Sequence, residues 1–478
     1  MERVLTAEQM RGADKYTVER LGISSEELVN RAGNALFEEI DKLFLGGRVL
    51  VCVGKGNNGA DGMVLADLLS KKHGFTVSVL NVANGFFKVF DKQYDIIVDC
   101  IFGTGLNRNV EGKYQLAIEK INTSGAFVIS CDIPSGLNGN SGRVMGSAVK
   151  ANLTIAIQEY KLGHFLNDGP DYCGKVVARD IGISIWEDEY VKRLTQSDVA
   201  QYFLPRPRNV NKGDFGKVAV VGGSKDFTGS VLLSSNALGA FKMGTGYSYL
   251  AVPESLFNAY VGKNSECILT AVRDNGGYMT LDEKNLSKLL DCQSIAIGMG
   301  MGTSIDTYRV IKYLLDNYSG TLVIDADGIN SLAKFGLGIL KNKKCRVVLT
   351  PHVGEFSRIS GIDKQKILDF PVLLAVNFAK NYDVTLVLKS ASSIITDGND
   401  VYINTTGCSG LAKAGSGDVL SGLIAGLVAR NDELCETVAS ACYIFGKASE
   451  LVEKEQNEFT MTATDVISYL PKVINSLQ

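Results

Sequence analysis

Along most of the chain, short β-branched runs alternate with stretches whose apolar residues recur every three or four positions. Arg48–Val53, Phe75–Val82, Asp95–Ile101 and Phe127–Cys131 are the first such runs, and residues 60–72 and 114–121 between them have helical spacing. Strand, glycine turn and helix in that repeating order predict an α/β fold with a mostly parallel sheet covered on both faces. Residues 7–44 precede it with a helical stripe through Leu28, Ala32, Ala35, Leu36 and Ile40. Strands at Leu153–Ile157 and Lys175–Ala178 follow, and the sheet is complete near Ile183. A second alternation starts at Lys217–Gly222, runs through Ser294–Ile297, Thr321–Asp325, Arg346–Thr350 and Val384–Leu388, and ends in helices.

Between the two, Trp186-Glu-Asp-Glu is charged, and Pro205-Arg-Pro-Arg208 continues neither a helix nor a central strand. The break sets a boundary near 188–195, with domains at 1–190 and 195–478. Their motifs differ, so the halves are not a duplication. A chain of 478 residues exceeds one ordinary core, and 51 glycines suit an α/β protein with many tight turns. A net charge of −3, with both signs interspersed, gives no field for nucleic acid or a membrane surface. The start, Met-Glu-Arg-Val-Leu, has no signal pattern, and no uncharged run reaches the ~18 residues of a membrane helix, so a cytoplasmic protein is expected. The ten cysteines form no Cys-x-x-Cys pair, and Cys52, Cys100 and Cys131 read as buried thiols. Only three histidines occur (His73, His164, His352), none near another, which disfavours a zinc site or a Ser-His-Asp triad. The apolar N-terminal helices offer a face to another chain, so a homo-oligomer is expected.

The most telling segment is Cys408–Leu427. Gly415, Ser416 and Gly417 turn the backbone so that its N–H groups share a target, and an apolar helix from Val419 to Ala429 opens behind them. Asp418 at that point is either a helix cap or a base that takes a proton from a hydroxyl attacking phosphate. The helix is apolar all round, which places its start deep in the domain. Other strand ends add to the same site. Lys389-Ser390-Ala391-Ser392-Ser393 brings an ammonium and hydroxyls to where phosphates could sit, unless Lys389 is a solvated rim charge. Thr350-Pro-His-Val-Gly-Glu355 offers His352 as a ligand contact or a capped structural imidazole, and Glu355 as a ligand of magnesium-bound water.

In the first half, Gly54-Lys-Gly-Asn-Asn-Gly59 matches the dinucleotide fingerprint, but the second strand ends in Val79-Leu-Asn-Val82 without the acidic ribose ligand. A conventional dehydrogenase is disfavoured. In a doubly wound sheet the 57–61 loop meets two further strand ends, at Asp99–Arg108 and Asp132-Ile-Pro-Ser-Gly136. Asn58, Asp99 and Ser135 then supply hard oxygen donors for a weakly demanding cation or a water network. Asp132, after an apolar run and before a rigid Ile-Pro, is placed to move protons on a ligand. Backbone N–H groups of 103–109 suit a pyrophosphate.

Gly-Lys-Gly-Asn-Asn-Gly-Ala-Asp-Gly, Val-Asp-Cys-Ile-Phe-Gly-Thr-Gly-Leu and Cys-Asp-Ile-Pro-Ser-Gly-Leu resemble the signature loops of NAD(P)H-hydrate epimerases. Asn211-Lys-Gly-Asp-Phe-Gly216, Gly244-Thr-Gly246, Gly298-Met-Gly-Met-Gly302, Asp325-Ala-Asp, Thr350–Glu355 and Ala414–Asp418 resemble the NAD(P)H-hydrate dehydratase branch of the ribokinase-like fold. Asn211 departs from the His that commonly opens the first of these motifs. The resemblance spans nearly the whole chain. It implies a Rossmann-like three-layer sandwich followed by a ribokinase-like α/β domain, acting on hydrated NADH and NADPH.

By the same resemblance, Asp132 is the acid/base of epimerisation at C6, and Asn58, Asp99 and Ser135 hold potassium. Asn57, Asn58, Gly59, Ala60 and Asp61, with Gly103, Thr104, Gly105, Leu106, Asn107, Arg108 and Asn109, contact the hydrate. In the second domain Asp418 is the base for phosphorylation by Mg2+ with ADP or ATP, and Gly246, Gly302 and His352 contact substrate. Lys389–Ser393 and Ala414, Gly415, Ser416 and Gly417 bind the nucleotide. The alternative is a ribokinase-like kinase of a small heterocyclic alcohol with a non-catalytic N-terminal binding module.

Overall fold

The computed structural model describes residues 1–85, 87–186, 190–238 and 242–478. Two compact units emerge: Arg3–Val191, and Lys192–Gln478 together with Met1–Glu2. Residues 187–189, which overlap the start of the boundary expected at 188–195, lie outside the described residues.

In the N-terminal unit the stretch expected as one helical region is two helices, α1 (Ala7–Leu21) and α2 (Ser25–Leu43). Thr6 forms a capping box for the first, Gly22 ends it in left-handed backbone, and Ser24 caps the second, so the sequence itself writes the break. Then follow β1 (Gly47–Val53), α3 (Asn57–Lys71), β2 (Phe75–Asn81), β3 (Ile96–Cys100), α4 (Lys113–Asn122), β4 (Phe127–Cys131), β5 (Leu153–Ile157) and β6 (Lys175–Arg179). The sheet order is β2-β1-β3-β4-β5-β6, with every pairing parallel.

Period-two alternation sorts β1 onto two cores. Val49, Val51 and Val53 pack with Leu36, Ile40, Leu65 and Leu69, whereas Leu50 and Cys52 pack with Ile118, Ile121 and Val149. Each such side chain, fully buried, stabilises by roughly 1.5–3 kcal/mol. Leu28, Ala32 and Ala35 pack with Ile181 and Ile183. The apolar helix positions that suggested another chain are thus covered within their own unit. Chain order reverses at β1, between β2 and β3, and the crevice at their carboxyl ends is where ligands of such sheets bind.

The C-terminal unit is built on β7 (Lys217–Val221), α5 (Thr228–Leu238), β8 (Tyr247–Pro253), β9 (Ile268–Val272), β10 (Ser294–Ile297), α6 (Ile305–Asn317), β11 (Thr321–Ile324), α7 (Asp327–Phe335), β12 (Arg346–Leu349), α8 (Val353–Ser360), α9 (Pro371–Tyr382), β13 (Thr385–Leu388), β14 (Ser393–Thr396) and β15 (Val401–Asn404). Helices α10 (Ser416–Val428), α11 (Leu434–Glu455) and α12 (Ala463–Leu477) follow. Strand order is β9-β8-β7-β10-β11-β12-β13-β14-β15. Pairing is parallel as far as β13 and antiparallel beyond it. Every residue of α10 from Val419 to Val428 is buried. It packs so closely on α5 that a Cβ at Gly422 would stand 2.2 Å from the Ser234 carbonyl oxygen.

Candidate active sites

A cleft of ≈ 620 Å³ opens at the carboxyl ends of β1, β3 and β4. Its lining takes in Asn57, Asn58, Asp61, residues 103–108, Asp132 and Lys161. Gly59 is buried against Gly54 and, with Ala60 and Asn109, is not part of that lining.

Asp132 directly follows β4 with φ at 65°, a conformation costly for a residue with a Cβ. Its backbone is over-determined: the N–H donates to Ile155 O at 2.8 Å, and the carbonyl lies 2.8 Å from His164 Nε2. The Lys161 N–H donates to His164 Nδ1 at 3.1 Å, so the proton sits on Nε2 and is donated to Asp132 O. Burial, then the Lys161 charge, push the imidazole down to about 4, which keeps it neutral for this task. The Asp132 carboxylate forms an ion pair with the fully buried Lys161 and accepts from the Ile157 N–H at 3.2 Å. Across the cleft, burial followed by the charges of Asp132 and Asp14 raises Asp61 to about 8. A protonated carboxyl and a lysine-paired carboxylate therefore face one cavity, as an acid and a base would.

The three expected cation donors do converge. Asp99, fully buried at the end of β3, accepts from Ser135 Oγ at 2.6 Å, Ser135 N at 2.8 Å and Ser130 Oγ at 2.9 Å. Ser135 Oγ accepts from the Phe102 N–H at 2.8 Å, and Asn58 Nδ2 donates to the Phe102 carbonyl at 2.9 Å. Asn58 Oδ1 is buried without a partner.

In the C-terminal unit the site lies along the carboxyl edge of the sheet. Gly415, with φ at 93°, occupies the N-cap position of α10, so Asp418 is the third helical residue and the capping reading falls away. Burial, then the Asp325 charge, raise Asp418 to about 7. Asp325 accepts from Lys389 Nζ at 3.0 Å and from Ser421 Oγ at 2.7 Å. A Cβ at Gly417 would meet Lys389 Nζ at 3.2 Å and Asp325 Oδ2 at 3.6 Å, which puts the glycine turn directly on this pair. Lys389 is therefore no solvated rim charge. Its burial opposes the ammonium but is outweighed by Asp325 and Glu355, so its pKa is raised.

His352 caps α8: its Nδ1 accepts from Gly354 N at 2.9 Å and Glu355 N at 3.3 Å, and Glu355 returns a bond from the His352 N–H at 2.9 Å. The imidazole is structural at Nδ1 and leaves Nε2 for a ligand. Ser390 is turned back onto the Ser392 carbonyl at 2.6 Å, Ser392 is buried, and Ser393 opens β14. Gly302 joins the edge through its N–H, 2.9 Å from Asp327 Oδ2.

Gly246 does not join it. This residue directly precedes β8, its N–H bonds Gly216 O at 3.0 Å, and a Cβ there would strike the Lys212 carbonyl at 1.6 Å. In a parallel sheet that is the opposite edge, and the 211–216 motif lies there with it. Sequence reasoning also gave no site role to three residues, Lys161 and His164 behind Asp132 and Ser421 behind Asp325, and it named the Asp325 motif without pairing it to Lys389. Ser421, three positions after Asp418 on one helix face, was open to detection from spacing alone.

A doubly wound sheet with two facing carboxyl groups at its switch point, and a ribokinase-like sheet with a carboxyl, an ammonium and a glycine turn at its carboxyl edge, make two separate sites, the second shaped for phosphate groups. Comparison with known proteins agrees. The family model described as NAD(P)H-hydrate dehydratase matches residues 218–472, and that of the YjeF-related protein N-terminus matches 25–88 and 84–163. Curated relatives include the bifunctional NAD(P)H-hydrate repair enzymes Nnr of Thermofilum pendens (32% identical, 100% of this chain and 97% of the relative) and Dictyoglomus turgidum (32%, 99% and 99%). Among solved structures, the ADP/ATP-dependent NAD(P)H-hydrate dehydratase of Bacillus subtilis, co-crystallised with ATP/Mg2+, superposes with TM-score 0.52 at 24% identity, over 60% of this chain and 99% of that one. A ribokinase-like protein of Enterococcus faecalis gives 0.52 at 22%, over 61% and 99%. The chain belongs to the bifunctional NAD(P)H-hydrate repair enzyme family.

Proposed function

We propose that the N-terminal site interconverts the R and S forms of NAD(P)H hydrated at C6, and that the C-terminal site dehydrates the S form at the expense of ADP or ATP. The observation that carries the second step is the placement of Asp418: in the first turn of a buried helix, behind a glycine turn, beside Lys389.

Asp418 takes the proton of the 6-hydroxyl as its oxygen bonds the terminal phosphorus and the bond to the nucleotide leaving group breaks. Lys389 and the N–H groups of 415–418 hold the phosphoryl oxygens while charge moves through them. The C6–O bond then breaks with the lone pair of the ring nitrogen moving into the ring, inorganic phosphate departs, and loss of a C5 proton restores the dihydropyridine. Hydroxide is a poor leaving group and phosphate a good one, which is why the step consumes a nucleotide. Oε2 of Glu355 serves the α8 cap, so Oε1 is the oxygen left to face a magnesium-bound water. Magnesium would neutralise charge on the nucleotide phosphates.

In the N-terminal site Asp61 supplies a proton to the departing 6-hydroxyl and Asp132 removes one from the water that returns on the other face. Asn58, Asp99 and Ser135 fit a potassium ion, the orphaned Asn58 Oδ1 being the donor that such an ion would satisfy. The ion would supply positive charge beside the pyrophosphate-binding loop. Packing against another copy of the chain is part of this reading only as an expectation of the sequence.

The test is to incubate the enzyme with each separated NADH-hydrate epimer and ADP, then ATP, following nicotinamide absorbance and phosphate release. The S epimer should turn over through Asp418 alone, and the R epimer only with Asp132 intact. Accumulation of a stable phosphorylated heterocycle would favour a simple kinase instead.

A further inference from the structure

The opposite edge of the C-terminal sheet carries a second pocket, of ≈ 460 Å³, lined by Phe203, Arg206, Lys242, Gly244, Glu266 and Arg430 among others. Two guanidinium groups converge in it. A Cβ at Gly244 would stand 1.9 Å from Arg206 Nη2 and 3.5 Å from Arg430 Nη1, and the backbone there, at φ 78°, favours glycine. Arg206, set between Pro205 and Pro207, lies 3.8 Å above the Phe215 ring and donates to the Gly244 carbonyl at 2.6 Å. Arg430 lies 5.8 Å from the Phe203 ring centre, reaches the Tyr202 carbonyl at 3.4 Å, and leaves its Nε buried with no partner.

Arg430 follows the carboxyl end of α10, where a cation is favoured as a cap. Its guanidinium does not serve as one, because Asn431 Nδ2 takes the Leu427 carbonyl at 2.8 Å. Among the described residues no side-chain carboxylate pairs with either arginine, and Glu266 is the one acidic side chain in a lining that holds three cationic side chains and the last residue of the sequence, Gln478. Burial, then the Arg206 charge, bring Arg430 down to about 10. Two like charges held close together, one stacked on an aromatic ring and neither in an ion pair, form a binding fork for an anion.

We infer that this pocket is a binding site for the phosphate or pyrophosphate group of a small molecule, separate from the phosphoryl-transfer centre. The 13 residues of α10 put roughly 20 Å between Asp418 and Arg430, so one molecule of phosphate cannot serve both. Phosphate fits the fork better than a carboxylate does: two guanidiniums and Lys242 offer more donors than one carboxylate can accept.

The experiment labels the arginines of the full wild-type chain with phenylglyoxal and reads each by peptide mass spectrometry. It is run in chloride, inorganic phosphate and inorganic pyrophosphate at equal ionic strength. Phosphate or pyrophosphate at millimolar concentration should slow modification of Arg206 and Arg430 by about fivefold or more and leave exposed Arg20 unchanged. The anion that protects at the lower concentration identifies the group bound. In parallel, calorimetry on Arg206→Met/Arg430→Met should show the loss of one pyrophosphate site. Equal protection by chloride, or protection of Arg20 to the same degree, overturns the inference. Should both arginines prove inert to the reagent, the calorimetry decides, and an unchanged number of sites in the double variant overturns it.

Discussion

Replacing Asp418 by Asn should slow dehydration and stabilise the fold at once. General base catalysis contributes typically 10²–10⁴-fold, so a loss of at least ~10² is expected, about 2.7 kcal/mol of barrier. The stability effect has the opposite sign. Asp418 is an acid whose pKa rises from 3.8 to about 7 on folding, so the folded state holds its proton more tightly than the unfolded chain does. Stability from this source is complete below pH 3.8 and is lost as pH rises through 7, up to about 4 kcal/mol in all. Residual solvent access to the carboxyl reduces that figure, and about 2 kcal/mol is a realistic share. Asn carries no charge at any of these pH values. By calorimetry the transition of the C-terminal unit should therefore shift upward by roughly 3–6 °C at pH 8 and by nothing at pH 4. A variant that melts at or below wild type at pH 8, or one that keeps full phosphate release, would refute the reasoning.

Wild-type dehydration should follow the same titration, with kcat/KM rising through pH 7 as Asp418 becomes a base; a flat profile from pH 5.5 to 8.5 would contradict the assignment. Asp132→Asn should lower epimerisation by ~10² or more while the S epimer is still dehydrated at the wild-type rate, measured on separated epimers. Because Asp61 is held up to about 8, epimerisation should fall as pH rises past 8, and Asp61→Asn should be slow at every pH with that limb gone. Lys389→Met should raise the KM for the nucleotide by tenfold or more through loss of a charge-assisted contact, read by initial rates at varied ADP and ATP.

Much of this was open to a reader of the sequence, for reasons that differ between elements. The parallel strands announce themselves because strands buried on two faces are continuous β-branched runs, and Val49–Val53 is one. Asp132 and Asp418 stand out because each interrupts apolar sequence at a turn. The break between α1 and α2 was equally written, in Thr6, Gly22 and Ser24, but a continuous apolar stripe hides it. Partners distant in the chain leave no mark: Lys161 reaches Asp132 across 29 positions, and Ser421 reaches Asp325 across 96. Gly246 was assigned to the wrong edge because a motif gives order along the chain, not the end of the strand at which it falls. Of the two roles open to His352, the structural cap is the one the structure shows, made through Nδ1.

From Val419 onward the helix that carries Asp418 is enclosed by the core. A base mounted there cannot travel with a closing loop or a hinge; whatever moves during turnover must be the substrate and the loops that bring it. The position of the base itself is then not a weak point that fails first on heating. Dehydratase inactivation and global melting should trace a single curve, whereas an enzyme with its base on a lid loses activity degrees earlier.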